Sequence, residues 1–191
     1  MAARRKSTAG IYTLRIELQH IEPLIWRRIH VLTDISLSKL HGVLQVVMGW
    51  TDSHLHSFRI GDQVYSNAEE LEELNMLAEK GRNLGALLGN TIREFEYEYD
   101  FGDSWDHRII VEAIAKPVAD WPYPLCVAGE RACPPEDVGG APGYEEFLRA
   151  IADPSHEEHE SMLVWIGGAF DPQGFDINSV NRELRRLRLS A

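Results

Sequence analysis

Residues 94–111 read EFEYEYDFGDSWDHRIIV, and this stretch decides the fold. Aromatic residues alternate with acidic ones through its first half, as Phe95, Tyr97, Tyr99 and Phe101 against Glu94, Glu96, Glu98 and Asp100. A period of two is the pattern of a strand with one buried face. Gly102 and Asp103 form a turn pair, and a second strand returns from Trp105 to Val111. The stretch therefore predicts a β-hairpin with an aromatic inner face and a solvated ladder of carboxylates outside.

Strand patterns recur on the N-terminal side of this hairpin. Residues 11–20 alternate, residues 24–32 follow as a second strand, and residues 54–60 and 62–66 flank the turn pair Gly61-Asp62. Apolar residues at helical spacing over 37–47, stopped by Gly49, predict a helix between the second and third strands. We therefore predict an α+β fold with a mainly antiparallel sheet of two or three hairpins, one helix after the second strand, and three helices at the C-terminus.

Length and charge limit the classes of protein to consider. The chain has 191 residues and a formal net charge of −11. We expect a disordered N-terminus at residues 1–10 and a single domain at 11–189. The acidic surface disfavours nucleic acid as a partner. No apolar run reaches the ~18 residues that a membrane span needs, and the N-terminus lacks the apolar stretch of a secretory signal, so we expect a cytoplasmic protein with no membrane partner.

Histidines supply the first candidates for chemistry. His54 and His56 are two apart within the predicted strand 54–60, so both imidazoles would project from one face. Paired imidazoles are a common beginning of a metal site, and His107 on the returning strand of the hairpin is a third candidate ligand. A His-x-His pair alone is more typical of surface or hydrogen-bonded histidines, so both interpretations stay open.

Carboxylates near these histidines are candidates for catalysis. The catalytic candidates are Asp100, His107, Glu136 and Asp137. Glu136 and Asp137 end the block CPPED, which lies in a long irregular segment predicted at 116–141. Loops of that length in a compact domain are often functional. Glu136 or Asp137 could act as a general base beside a divalent metal ion.

Aromatic and sulfur side chains in the same blocks are candidates for a binding surface. These are Trp50, Asp103, Trp105 and Cys133. Cys126 and Cys133 have six residues between them, which is wider than the usual zinc-finger spacing. Free thiols, a disulfide and a metal-bound pair all remain open for these two cysteines.

Five blocks of the sequence resemble one known family. They are PLIWRR at 23–28, MGWTDSHLHSF at 48–58, YDFGDSWDH at 99–107, CPPEDVGG at 133–140 and FDPQGFD at 170–176. In this order they resemble the plasmid pRiA4b ORF-3-like family, from about Ile11 to about Leu184. The resemblance implies an α+β fold and an association with plasmids or mobile elements. Some members of that family carry a name that implies a resolvase carried by an insertion element.

Three functional hypotheses follow from these features. The first is an intracellular binding or accessory module for a protein or small-molecule partner, because an acidic surface, an aromatic hairpin and a proline-rich loop suit recognition. The alternative is a metal-dependent, hydrolase-like enzyme. Its ligands would be His54, His56, Asp100 and His107. A resolvase-type DNA protein is disfavoured, since a serine resolvase needs a nucleophilic serine among arginines and a basic DNA-binding helix.

Overall fold

The computed structural model describes residues 10–67, 72, 75–119 and 121–187. Most of the stretch 1–10, for which we predict disorder, and the last two residues of the predicted domain 11–189 lie outside the described residues. The strands are β1 (Ile11–Leu18), β2 (Ile25–Leu32), β3 (His56–Ile60), β4 (Gln63–Ser66), β5 (Leu77–Ala78), β6 (Glu94–Tyr99), β7 (Trp105–Ala115) and β8 (Leu125–Glu130). The helices are α1 (Leu37–Met48), α2 (Leu84–Leu88), α3 (Gly140–Ala152), α4 (His159–Trp165) and α5 (Ile177–Arg186).

The strands form one mixed sheet in the order β5-β4-β3-β6-β7-β1-β2-β8. Strands β1 and β2, β3 and β4, and β6 and β7 pair as antiparallel neighbours, whereas β4 and β5 run parallel. The predicted α+β class is confirmed. The sheet is larger than two or three hairpins because β5 and β8 extend its two edges, and α2 is a fifth helix within the described residues.

The core lies on one face of this sheet, beneath α1. Leu14, Ile16 and Leu18 of β1 are completely buried there. Apolar residues of α1 at helical spacing, including Leu40 and Val47, cover them. Burying this much apolar surface is the main source of stability for a domain of this size.

The opposite face of the sheet is solvated and ion-paired. Glu94 and Glu96 of β6 pair with Arg108 and Arg59 of the two neighbouring strands. Exposed pairs of this kind contribute little to stability, at most about 1 kcal/mol each. The carboxylate ladder is therefore a solvent-facing side of the hairpin, as the alternation predicts.

The segment predicted to be irregular at 116–141 contains strand β8, which corrects that prediction. Residues LCVAGE show no alternation, and their partner strand β2 lies about a hundred residues earlier in the chain, so no local pattern signals the strand. Asn181 of α5 bonds the outer edge of β8: its side chain accepts from the Cys126 N–H at 2.9 Å and donates to the Cys126 carbonyl at 2.8 Å. Helix α5 thereby closes this edge of the sheet.

Candidate metal centre

The loop between α1 and β3 brings His54 to the surface. Helix α1 ends at Gly49, whose φ of 95° suits glycine, and strand β3 begins only at His56. The prediction that His54 and His56 share one strand face is therefore wrong. His54 lies in the loop, whereas His56 is completely buried. The strand begins two residues later than predicted, and this difference separates the two imidazoles.

Side chains from three segments, those of His54, Asp100 and Asp137, lie close together. The His54 Nε2 lies 3.0 Å from Asp137 Oδ1 and 3.7 Å from Asp100 Oδ2. One ligand atom from each of the three residues lies within 4.8 Å of the other two. We call this set the His–Asp–Asp cluster. It joins the three sequence blocks that contain His54, Asp100 and Asp137.

The two separations from His54 within the His–Asp–Asp cluster suit a single ion. Two ligand atoms that each lie about 2.1 Å from one ion at a tetrahedral angle are about 3.4 Å apart. The two measured separations from Nε2, 3.0 and 3.7 Å, bracket that distance. The Nε2 atom is shielded from water but makes no hydrogen bond, because its contact with Asp137 lacks hydrogen-bond geometry. Its ring nitrogen thus lies within 4 Å of two carboxylates without a hydrogen bond to either.

Both aspartates of the cluster have a left-handed backbone. Asp100 has φ of 57° and Asp137 has φ of 59°. Aspartate tolerates this conformation better than most residues, and such positions concentrate at functional sites. Asp100 leaves strand β6 at this point, so it does not continue the glutamate ladder as the alternation predicts. Its Oδ1 accepts from the Gly102 N–H at 2.9 Å, which leaves Oδ2 facing His54.

The hairpin turn anchors the far side of the segment that carries Asp137. Asp103 Oδ2 accepts a hydrogen bond from the Gly139 N–H at 3.1 Å. Gly140 has φ of 68°, and a Cβ there would lie 2.6 Å from the Asp103 carbonyl oxygen. Only glycine allows that approach. Asp103, a candidate for a binding surface, therefore holds the 137–140 segment in place.

Glu136 anchors the near side of the segment that carries Asp137. It accepts from the Thr51 N–H at 3.2 Å, from the Thr51 hydroxyl, and from the Tyr99 hydroxyl at 2.5 Å. Burial alone would raise the pKa of Glu136, but the hydrogen bonds from Thr51 and Tyr99 outweigh it and lower that pKa. Because its acceptor sites are occupied, Glu136 is better suited to positioning than to abstracting a proton. Sequence patterns assign Tyr99 to the core and give no signal for Thr51.

His56 and His107, the other two candidate ligands, lie outside the His–Asp–Asp cluster. His56 Nε2 bonds Glu79 at 2.9 Å, and its ring stacks on His41 with 3.5 Å between centroids. His107 is buried on the aromatic face beside Trp105, as predicted, with Nδ1 3.2 Å from the Tyr97 carbonyl. Burial lowers the pKa of His107 to about 4. Both are interior histidines of the sheet.

Of the remaining binding-surface candidates, Trp50 and Trp105 are interior and Cys133 is partly buried. Trp50 and Trp105 are 7% and 1% exposed, and Trp50 Nε1 donates to the Pro134 carbonyl at 3.0 Å. Cys133 Sγ lies 3.3 Å from an Arg27 nitrogen, and burial raises the pKa of its thiol to about 11. Both cysteines, Cys126 and Cys133, are free thiols. Trp50 and Cys133 thus help to seat the CPPED segment beside the cluster.

A second group of possible ligands, Glu146, His156 and Glu158, lies on the surface near α4. His156 Nδ1 accepts from the Glu158 N–H at 3.2 Å, and Nε2 lies 3.0 Å from Glu146 Oε1. An imidazole that accepts at Nδ1 carries its proton at Nε2, where it donates to Glu146. Both nitrogens are thus engaged, which disfavours metal binding here.

Comparisons with known proteins place the chain in a family. The family model of the plasmid pRiA4b ORF-3-like protein matches residues 10–179. An uncharacterized protein of Sinorhizobium fredii is 39% identical over 181 residues, which cover 94% of this chain and 93% of that protein. A crystal structure of a protein of unknown function from Methanosarcina mazei Go1 is similar at 35% identity and a TM-score of 0.82, covering 90% of this chain and 98% of that one.

Among the described residues, no helix combines the length and apolar character that crossing a bilayer requires.

The five sequence blocks quoted above, the match over most of the length and the similar solved structure agree with one another. The chain therefore belongs to the plasmid pRiA4b ORF-3-like protein family.

Proposed function

We propose that this protein binds a divalent cation at the His–Asp–Asp cluster and acts as a metal-dependent, hydrolase-like enzyme. The observation that carries the proposal is the convergence of His54, Asp100 and Asp137 with one ligand atom each within 4.8 Å. The unpartnered Nε2 of His54 supports it, because a shielded polar atom that lacks a hydrogen bond has an incomplete environment.

The donor set indicates the class of ion. One imidazole with two carboxylates suits the borderline ions Zn²⁺ and Fe²⁺ and also the harder ion Mn²⁺, which prefers carboxylate ligands. The hard ion Ca²⁺ takes six to eight oxygen ligands, and this cluster supplies too few. Two carboxylates and a neutral imidazole would balance the charge of a divalent ion.

The exposure of the cluster favours chemistry over a purely structural ion. Structural zinc sites use four protein ligands, whereas catalytic ones use three and leave a position for water. The Asp137 side chain is 70% exposed and that of Asp100 12%, so one side of the cluster faces solvent. A bound ion would supply a water of lowered pKa at that side, which is the basis of metal-assisted hydrolysis.

Titration calorimetry of metal-free protein with Mn²⁺ and with Zn²⁺ tests the proposal. We expect about one ion per chain in the wild type. Asp137→Asn and His54→Ala should weaken binding at least about 100-fold, since even residues that only support a ligand cost 10–100-fold. Glu158→Gln in the second group is the control and should bind as the wild type does. A wild type that takes up no ion, or an Asp137→Asn variant that binds equally well, would refute the proposal.

A second candidate function is a binding or accessory module associated with plasmids or mobile elements. It is favoured by large apolar side chains that are exposed at the end of β7 and in the β7–β8 connection: Ile114, Val118 and Trp121 are 52%, 50% and 48% exposed. Apolar groups grouped at the surface often mark contacts with a partner. Crosslinking in cells separates the two candidates: Trp121→Ser would lose a partner that Asp137→Asn keeps if the module is the function.

A further inference from the structure

The three ligand-bearing segments meet at one side-chain oxygen. The residues that immediately precede the ligands in sequence are Ser53, Tyr99 and Glu136. The Tyr99 hydroxyl accepts from the Ser53 N–H at 2.9 Å and donates to Glu136 Oε1 at 2.5 Å. Each ligand is therefore one residue away from the same hydroxyl group.

We infer that Tyr99 is the positioning residue of the His–Asp–Asp cluster, an inference that rests on the proposed function. Tyr99 ends strand β6, where pairing with His56 and Trp105 on either side fixes its backbone. Its ring is completely buried and stacks on Trp50, with 5.0 Å between centroids. A rigid strand end thus carries both the Asp100 ligand and the hydroxyl that holds the two loops.

The Tyr99 hydroxyl adds to the polar contacts that Thr51 and Asp103 make with the segment carrying Asp137. The Asp137 side chain is 70% exposed, so core packing does not orient it. The His54 side chain is 29% exposed, and its ring packs edge-on against the Tyr99 ring with 5.8 Å between centroids. The Tyr99 hydroxyl fixes the backbone beside His54 and, through Glu136, the backbone beside Asp137.

Tyr97 supplies a matched control. It lies two residues earlier on the same face of β6 and is equally buried. Its hydroxyl accepts from Gln45 at 3.0 Å and lies 2.8 Å from His41 Nδ1, so it touches none of the ligand-bearing segments. Tyr97→Phe and Tyr99→Phe each remove one hydroxyl from the same strand. Only Tyr99→Phe removes a hydroxyl that bonds the loops carrying His54 and Asp137.

Metal affinity of the two variants is the first measurement. Tyr99→Phe should weaken Mn²⁺ or Zn²⁺ binding 10–100-fold, as expected for loss of a group that orients a ligand. Tyr97→Phe should stay within about twofold of the wild type, since it acts at a separate position. Glu136→Ala should resemble Tyr99→Phe, whereas Glu136→Gln keeps an acceptor for the hydroxyl and should recover most of the affinity. Equal losses in the two tyrosine variants would overturn the inference.

Backbone amide NMR spectra of the metal-free protein give a second readout that does not depend on metal binding. Tyr99→Phe should shift the signals of His54 and Asp137, and Tyr97→Phe should leave them in place. A wild type that binds no ion refutes the proposed function, but these shifts still decide whether Tyr99 holds the two loops. Unshifted His54 and Asp137 signals in Tyr99→Phe would overturn the inference by themselves.

Discussion

The guanidinium of Arg27 lies over the ring of Phe175, with its central carbon 4.2 Å from the ring centroid, and Arg27 is only 2% exposed. The guanidinium donates to the carbonyls of Val47, Trp26, Glu130 and Arg131 at 2.8 Å each. Among the described residues, no carboxylate forms an ion pair with it. The buried guanidinium is thus satisfied by backbone carbonyls of α1, β2 and β8 and of Arg131, which lies just before the CPPED segment. These bonds connect the four parts of the chain.

Arg27→Lys should therefore be strongly destabilising. An ammonium has three donors on a flexible stem and cannot reproduce the planar fork, so buried carbonyls would lose their partners. We expect a loss of about 3 kcal/mol in the free energy of unfolding, measured with urea. Arg28→Lys is the control, because Arg28 forms a partly exposed pair with Glu112 and should lose at most about 1 kcal/mol. Equal losses at the two positions would contradict this account of Arg27.

Acid should destabilise the protein through His107. Its pKa is lowered to about 4 by burial, whereas an unfolded histidine titrates near 6.5. Between these pH values the unfolded chain binds a proton at this histidine and the folded protein does not. The free energy of unfolding therefore falls as pH decreases from about 6.5 to about 4. The loss should be about 1.4 kcal/mol per pH unit, or roughly 2 kcal/mol between pH 7 and pH 5.

Urea unfolding at pH 7 and pH 5 measures this effect. Burial and the neighbouring His56 also lower the pKa of His41, which adds a loss of the same sign. Burial and the nearby Arg28 lower the pKa of His30 as well, so three histidines contribute. His107→Gln removes one of these three contributions, so its stability should depend less steeply on pH than that of the wild type. An unchanged slope in His107→Gln would show that His107 is not responsible.

Two helical glycines should respond oppositely to alanine. A Cβ at Gly143 of α3 would lie 2.0 Å from the Val138 carbonyl oxygen, so the backbone must move. We expect Gly143→Ala to lose about 1–3 kcal/mol of unfolding free energy. At Gly42 of α1 the nearest atoms are the Leu187 methyl groups at 3.8 Å, and alanine should stabilise by about 0.5–1 kcal/mol through helix propensity. Thermal unfolding of both variants gives the comparison, and a stabilised Gly143→Ala would contradict it.

Divalent ions should raise the melting temperature of the wild type, and a chelator should reverse the rise. An ion that binds only the folded state at 100 times its dissociation constant adds about 2.7 kcal/mol. Asp137→Asn should show no such rise at the same concentration of ion, whereas Glu158→Gln should show all of it. A rise that persists in Asp137→Asn would place the bound ion elsewhere.

The sequence predicts the strands better than it predicts the candidate site. Alternation along 11–18 and 94–99 identifies β1 and β6 because one face of each strand is buried and the other is wet. Strand β8 has no alternation and depends on a distant partner, so local patterns miss it. The sequence pattern places His54 in a strand because the pattern begins two residues before strand pairing does, at His56.

The composition of the cluster depends on contacts that no local rule contains. Asp100 and Asp137 were candidates from their residue type, but their pairing with His54 arises where a hairpin turn meets a loop almost forty residues away in sequence. The role of Tyr99 was hidden because its ring follows the core pattern while its hydroxyl points to the surface loops. Residues with one apolar and one polar end are therefore poorly assigned by periodicity alone.

The two bonds between Asn181 and Cys126 have a consequence for how the protein behaves when shortened. Fragments that end before residue 177 would lack α5 and leave the outer backbone groups of β8 bare. A bare strand edge is a template on which another molecule can add a strand, the first step toward a fibrillar aggregate. Fusion partners and truncations should therefore be placed beyond α5, because α5 covers this edge of the sheet and prevents another molecule from pairing with it.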